Sequence, residues 1–151
     1  MPTGRLPTGM TLRLEPAGDA LAYVERLLAR NGLPSDVRTA PAGFYVARDG
    51  QRRVGAGGLE RCGDAALLRS VVVERSARGE GIGTALCDAL EARAAEAGVD
   101  RLYLLTTTAA DFFAARGYQR VDRADVPATV RETSEFAELC PDAAAAMTKP
   151  L

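Results

Sequence analysis

Val71-Val72-Val73-Glu74-Arg75-Ser76-Ala77-Arg78-Gly79-Glu80-Gly81-Ile82-Gly83-Thr84-Ala85-Leu86 is the stretch that decides the fold. An apolar run, a glycine-spaced turn and an amphipathic stretch from Ile82 to Ala97 predict a strand, a turn and a helix in that order. Such a turn is a cradle for phosphate. The first N–H groups of a helix have no intrahelical partner, and with the positive end of the helix dipole they favour a pyrophosphate. Gly79, Gly81 and Gly83 let the main chain approach phosphate oxygens without a Cβ clash, and they permit positive φ where successive N–H groups converge. Arg78 adds a cationic, multi-donor contact. The spacing is not Gly-x-Gly-x-x-Gly, and the Gly-Lys-Ser/Thr of a P-loop is missing, which disfavours a dinucleotide-binding domain or an NTPase. On these residues alone a plainer reading stays open, a tight turn whose glycines serve packing.

Outward from that turn the chain alternates helical and strand signals. Thr11 to Leu14 alternates and predicts a first strand, and Asp19 is placed to cap a helix through Arg30 that ends at Asn31-Gly32. Gly43 to Arg48 and Arg53 to Glu60 flank Asp49-Gly50, a hairpin signal. Leu67 to Val73 is the next strand, and the helix from Ile82 is expected to bury Leu86, Leu90 and Ala94 and to end at Gly98. A buried strand at Arg101 to Leu105, a short helix at Ala109 to Arg116 and a strand at Tyr118 to Val121 follow. Past Pro127 the pattern predicts a helix to Leu139 and a last strand near Ala144 to Thr148. The reading is a flexible N-terminal tail over residues 1–9 and one domain over 10–151.

Composition narrows the chemistry. The 151 residues are 47% hydrophobic, enough for one sizeable core and too few for two ordinary domains. A net charge of −1 with scattered Lys and Arg predicts no nucleic-acid partner. No run of 18 apolar residues and no signal-peptide core are found, so the expectation is a cytoplasmic protein without a membrane partner. Cys62, Cys87 and Cys140 are widely spaced and odd in number, which argues against a disulfide framework. The chain has 0 histidines. That removes the commonest general base and the commonest metal ligand, leaves acid–base work to carboxylates, tyrosines, thiols or water, and predicts no metal site.

The stretch from Val71 to Leu86 resembles the acyl-CoA signature of the GNAT acetyltransferase superfamily, and Phe112-Phe113-Ala114-Ala115-Arg116-Gly117-Tyr118 resembles its later Phe-Tyr-x-x-x-Gly-Phe motif. The two motifs stand in the family's order, and the resemblance covers roughly residues 10 to 150. It implies a mixed α/β acyl-CoA N-acyltransferase fold, with a mixed but mostly antiparallel sheet of about six or seven strands flanked by helices. It also implies acetyl-CoA as donor. The main-chain groups of Val71, Val72 and Val73 would pair with the pantetheine amides, and the turn of Arg78, Gly79, Gly81, Ile82, Gly83 and Thr84 would hold the pyrophosphate.

Within the superfamily the chain looks like amino-acid N-acetyltransferases of the N-acetylglutamate synthase type. It looks still more like the arsenic-resistance N-acetyltransferase group, through Leu67-Leu68-Arg69-Ser70-Val71, Pro127-Ala128-Thr129-Val130-Arg131 and Glu135-Phe136-Ala137-Glu138-Leu139-Cys140-Pro141. The implied acceptor is the primary amine of a small amino-acid-like or organoarsenical compound, and the implied role is detoxification. An ammonium must lose a proton before it attacks a thioester, which makes Glu60, expected at a strand end on the acceptor side, the first candidate base. Its alternative is a solvent-facing charge. Arg69, beside Ser70, is a candidate clamp for a carboxylate or an arsonate-like oxyanion, with a surface ion pair as the alternative. Thr106 and Thr107 are candidate acceptor ligands, Phe112 is a candidate acceptor contact, and Thr108 is a candidate helix cap. Phe113 stands where many members carry a tyrosine that protonates the leaving thiolate. Cys87 reads as a core residue rather than an acetyl carrier, which favours direct transfer in a ternary complex. A catalytically degenerate acetyl-CoA sensor is the competing reading. Relatives are often dimers, so homodimer and monomer both remain open.

Overall fold

The central strands carry runs of consecutive buried residues, because both faces of the sheet are covered there. The computed structural model describes residues 12–33, 35–38, 42–133 and 144–151. Its strands are β1 (Leu12–Pro16), β2 (Gly43–Asp49), β3 (Arg52–Cys62), β4 (Ala65–Val73), β5 (Arg101–Thr106), β6 (Gln119–Arg120) and β7 (Ala145–Pro150). Its helices are α1 (Leu21–Arg30), α2 (Ile82–Glu96), α3 (Ala110–Ala115) and α4 (Ala128–Arg131). Among the described residues the strands form one 7-stranded sheet in the order β1-β2-β3-β4-β5-β7-β6. Every neighbouring pair is antiparallel except β4 and β5. The expected mixed, mostly antiparallel sheet flanked by helices is therefore what the chain forms.

The parallel pair is short. Ala65, Ala66 and Leu67 pair with Arg101, Leu102 and Tyr103, and beyond Leu67 the two strands part although both continue. The cause lies on the other edge of β4. There Ala56 pairs with Val72 and Gly58 with Arg69, so Gly57 alone faces both Ser70 and Val71. This is a β-bulge, and Ser70 takes the left-handed conformation it needs, with φ 60°. A bulge bends its strand and resets which face each side chain meets. Before it, Ala66 and Leu68 belong to the cluster beneath α2; after it, Val71 and Val73 pack against that same cluster. Uninterrupted alternation would have sent residues 70 and 72 there instead.

One face of the sheet is covered by α2, through Ile82, Leu86, Cys87, Leu90 and Ala94, against Val54, Leu68, Leu102, Leu104 and Met147. The expected apolar stripe of this helix is thus the one it buries. A second cluster gathers Val24, Leu27 and Leu28 of α1 with Phe44, Val46, Ala56 and Val72, and a third gathers Leu67, Tyr103, Val126, Val130 and Ala146.

Several boundaries differ from expectation. Asp19 does not cap α1; it lies in a 3₁₀ turn, Gly18–Ala20, that leads straight into the helix, so the chain enters already wound. The strand expected from Tyr118 is reduced to β6 because the Tyr118 ring is buried against Phe113. Past Pro127 the described helix is α4; residues 134–143, and with them the motif from Glu135 to Pro141, lie outside the described residues, as do residues 1–11.

Two glycines in β3 set how closely the bulge and α2 approach. A Cβ at Gly55 would lie 2.6 Å from the Val72 carbonyl oxygen, and one at Gly57 would lie 2.5 Å from Leu90 Cδ1. The first obstacle is main chain and cannot rotate away, whereas the second is the end of a leucine side chain. Gly55→Ala is therefore expected to lower unfolding stability by about 1–3 kcal/mol in urea titrations, and by more than Gly57→Ala does. Equal losses would mean that the bulge gives way as easily as a side chain.

Candidate active site

After β4 ends at Val73, the Glu74 N–H donates to the Val54 carbonyl at 2.8 Å and a 3₁₀ turn, Arg75–Ala77, buries Ala77 completely. The chain then needs two left-handed residues to reach the helix start, and Gly79 (φ 84°) and Gly81 (φ 79°) supply them without the Cβ penalty. Gly81 is the N-cap of α2, and no side chain caps that end. The first turn of α2 therefore offers main-chain N–H groups and the positive end of its dipole to an anion, the geometry the glycine spacing predicts.

This turn opens into a cleft of about 630 Å³ that occupies the gap left by the parting of β4 and β5. One wall is β4 from Leu68 to Val73, continued by Arg78, Gly79, Gly81, Ile82 and Gly83. The other is β5 and its extension, Leu104 to Ala109, with Phe112 and Phe113. Asn31 and Leu33, from the segment after α1, close the rim. Thr84 is not among the lining residues; its carbonyl accepts a hydrogen bond from Arg116 Nη1 at 3.3 Å.

Arg78 spans the cradle. Its Nε donates to the Val73 carbonyl at 3.3 Å and its Nη2 to Asn31 Oδ1 at 2.6 Å. Arg69 sits deeper and its side chain is 0% exposed. Its Nη1 donates to Glu60 Oε1 at 3.3 Å, its Nη2 is ion-paired with Asp36, its Nε donates to Ser70 Oγ at 3.3 Å, and the guanidinium stands 5.7 Å from the Phe44 ring centroid. The bulge places it there, since Arg69 is the last residue before the break in register. Glu60 is neither at a strand end nor facing solvent. It lies within β3, is 5% exposed, pairs across the ladder with Leu67, and does not line the cleft. Arg69 and Glu60 thus form a buried ion pair, not a surface one.

The threonines divide their tasks. Thr106, Thr107 and Thr108 all line the cleft, and Thr106 Oγ1 accepts from the Ala109 N–H at 2.9 Å, so Thr106 rather than Thr108 supports the approach to α3. Phe112 is 38% exposed at the cleft, whereas Phe113 is buried with its ring edge-on to both Phe112 and Tyr118. The Tyr118 hydroxyl is engaged away from the cleft and donates to Glu91 Oε2 at 2.9 Å.

Sequence reading missed two groups. Asn31 and Leu33 at the rim, and Asp36 against Arg69, carry no motif, and their places are set by where α1 packs. Arg116, Glu91, Asp88 and Lys149 form a charge network that ties the middle of α2 to the end of α3 and to β7. Burial alone would raise the Glu91 carboxyl, but hydrogen bonds from Arg116, Lys149 and Tyr118 outweigh it and hold that carboxyl below its ordinary range. Among the described residues no group of three acidic or cysteine side chains is placed to hold a metal ion.

Residues 40–120 match the family model of the acetyltransferase (GNAT) domain. This chain belongs to the GNAT acetyltransferase family. The match runs from the start of β2 to β6 and includes the bulge, the cradle and α3. Solved structures agree in fold. N-acetylglutamate synthase from Neisseria gonorrhoeae, complexed with coenzyme A and L-arginine, superposes with a TM-score of 0.74 at 19% identity over 94% of this chain. This GNAT chain spans 33% of that protein's length. Rv2747 from Mycobacterium tuberculosis, in complex with CoA, gives a TM-score of 0.73 at 22% identity over 93% of this chain and 99% of its own. A GNAT acetyltransferase from Staphylococcus aureus Mu50 gives 0.69 at 18% identity over 93% and 99%. At these identities the likeness is one of fold.

Cys87, on the buried side of α2, has its thiol pushed up to about 12, mainly by burial. A raised folded pKa means that the unfolded chain loses this proton first, so the stability it contributes is present below the ordinary thiol range and drains away as pH rises toward 12. Cys87→Ala is expected to flatten the stability–pH curve between about pH 9 and pH 10 by about one proton, read from urea unfolding across that range. An unchanged slope would place the thiol in contact with solvent.

Proposed function

We propose that this protein transfers the acetyl group of acetyl-CoA to the primary amine of a small amino-acid-like or organoarsenical compound, by direct attack in a ternary complex. The observation that carries the reading is the continuity of the cleft, which runs from an uncapped helix start at Gly81 along β4 to Arg69, whose own side chain is buried behind that wall. The pyrophosphate would take the main-chain N–H groups from Gly79 to Thr84. The pantetheine arm would lie along the bent edge of β4, where Val71 to Val73 no longer pair with β5 and can pair with a ligand instead.

The acceptor would enter past Leu33 and Phe112, with Arg69 holding its carboxylate or arsonate-like group and Thr107 within the opposite wall. Glu60 enters this proposal through Arg69, whose guanidinium it holds in place. The attacking ammonium would lose its proton to ordered water. The thioester then exchanges its C–S bond for a C–N bond, the CoA thiolate leaves with the electron pair, and the second proton shed by the new amide nitrogen passes to water or to that thiolate. A thiol of pKa about 8.5 needs little help to leave near neutral pH, so Phe113 in the usual tyrosine place is tolerated. The N-acetylglutamate synthase likeness supports an amino-acid-like acceptor, and the Leu-Leu-Arg-Ser segment at 67–70, shared with the arsenic-resistance group, supports an organoarsenical one.

Phe113 favours one second reading, an acetyl-CoA-binding sensor without turnover. A thiol-release assay with acetyl-CoA against amino acids, aminophosphonates and amine-bearing arsenicals separates the two. Transfer predicts release with at least one primary amine, and tight acetyl-CoA binding with no release on any of them supports the sensor. Arg69→Lys keeps the charge beside Glu60 but loses the planar fork. It is expected to raise the acceptor KM by about tenfold while acetyl-CoA affinity moves by less than about twofold. Equal losses for both substrates would remove Arg69 from the acceptor site.

A further inference from the structure

Three side chains tie α1 and its end to the turn that follows β4. The Tyr23 hydroxyl donates to Glu74 Oε2 at 2.8 Å, Arg30 Nη2 stands 3.6 Å from the same oxygen, and Asn31 Oδ1 accepts from Arg78 Nη2 at 2.6 Å. Behind them Val24, Leu27 and Leu28 are buried in the cluster that includes Val72. Packing and polar contacts together fix the end of α1 relative to the cradle.

Asn31 is the tie that lines the cleft. It is the C-cap of α1, and its amide works in two directions. Nδ2 donates to the Leu27 carbonyl at 2.8 Å, in the last turn where helix carbonyls run short of intrahelical partners, while Oδ1 takes the guanidinium. An aspartate here would set two acceptors against each other at Leu27, and an aliphatic residue would satisfy neither group.

Arg78 meets Asn31 and the Val73 carbonyl along one edge of its guanidinium. Nε and Nη2 carry the hydrogens of that edge, so the fork between Nη1 and Nη2 is left for an anion, and Arg78 lines the cleft beside Gly79 and Gly81. An exposed arginine otherwise samples many rotamers, and binding an anion then costs that freedom. Held at Nε and Nη2, Arg78 has given it up before a ligand arrives.

We propose that Asn31 is a positioning residue for donor binding, holding Arg78 across the cradle with its second fork presented to the pyrophosphate of acetyl-CoA. This rests on the reading of the Gly79 to Thr84 turn as the pyrophosphate site. The effect of Asn31 passes through Arg78 and requires no contact of its own with the ligand. Asn31 also lies before residues 40–120, so the end of α1 contributes to the donor site from outside the family match.

The test titrates the full chain with CoA and with pantetheine, which ends before the phosphates, and reads dissociation constants from amide ¹H–¹⁵N shifts. Asn31→Ala is expected to weaken CoA binding by about fivefold and pantetheine binding by less than about twofold. In an Arg78→Ala background the same substitution is expected to change CoA binding by less than about twofold, because the side chain it acts through is gone. A residue that only caps α1 would weaken both ligands alike and act equally in both backgrounds. That result overturns the proposal, as does unchanged or tighter CoA binding by Asn31→Ala. If Asn31→Ala loses its cooperative thermal transition, Asn31→Ser, whose hydroxyl is too short to bridge Leu27 and Arg78, is measured in the same way and judged by the same outcomes. Failure of the cradle reading shows itself separately, in unaltered protein that binds CoA no more tightly than pantetheine.

Discussion

The bulge at Ser70 is the constraint on which the rest of the structure depends. With Ser70 at φ 60° and Gly57 alone facing two residues, β4 bends off β5 after three paired positions. A left-handed non-glycine residue costs roughly 1–2 kcal/mol, and burial on both sides of the bent strand offsets it. Val72 packs under α1, while Val71 and Val73 return to the α2 side. The gap that results is the cleft. An unbent β4 would pair with β5 to its end and close it, and it would also turn Val71 and Val73 away from the α2 core.

From that bend the two halves of the site follow. On the downstream side β4 runs into the Gly79 to Gly83 turn, so a strand edge and an uncapped helix start share one groove. On the upstream side the last residue before the break is Arg69, buried among Glu60, Asp36 and the Phe44 ring. A buried ion pair is weak evidence for stability, because desolvation offsets much of the attraction. The proposed acceptor site centres on this arginine because its planar fork matches a carboxylate.

The sequence made the donor side readable and the acceptor side only partly so, for a physical reason. A phosphate cradle is a local device of strand end, glycines and helix start within about a dozen consecutive residues, so its spacing survives in one dimension. The succession of strands and helices along the chain and the α2 stripe were readable for the same reason, since each rests on a local pattern of apolar and turn residues. The bulge was not, because Ser70 carries no glycine or proline signal and its conformation is imposed by the partner strand. Glu60 and Arg69 were picked out by chemistry, yet their burial and mutual pairing depend on the register between β3 and β4, which no local pattern encodes. Asn31 reaches the cleft, and Asp36 reaches Arg69, because α1 packs on Phe44 and Val72.

The central claim is that the gap between β4 and β5, with the turn after it, holds acetyl-CoA through main-chain groups. An amide-resolved ¹H–¹⁵N spectrum recorded during titration with acetyl-CoA tests it most directly. The largest shifts are expected on Val71 to Val73 and on Gly79 to Thr84, with little change along β1 and β2. Saturable binding that leaves those amides unmoved, or that moves mainly another face of the sheet, would contradict it.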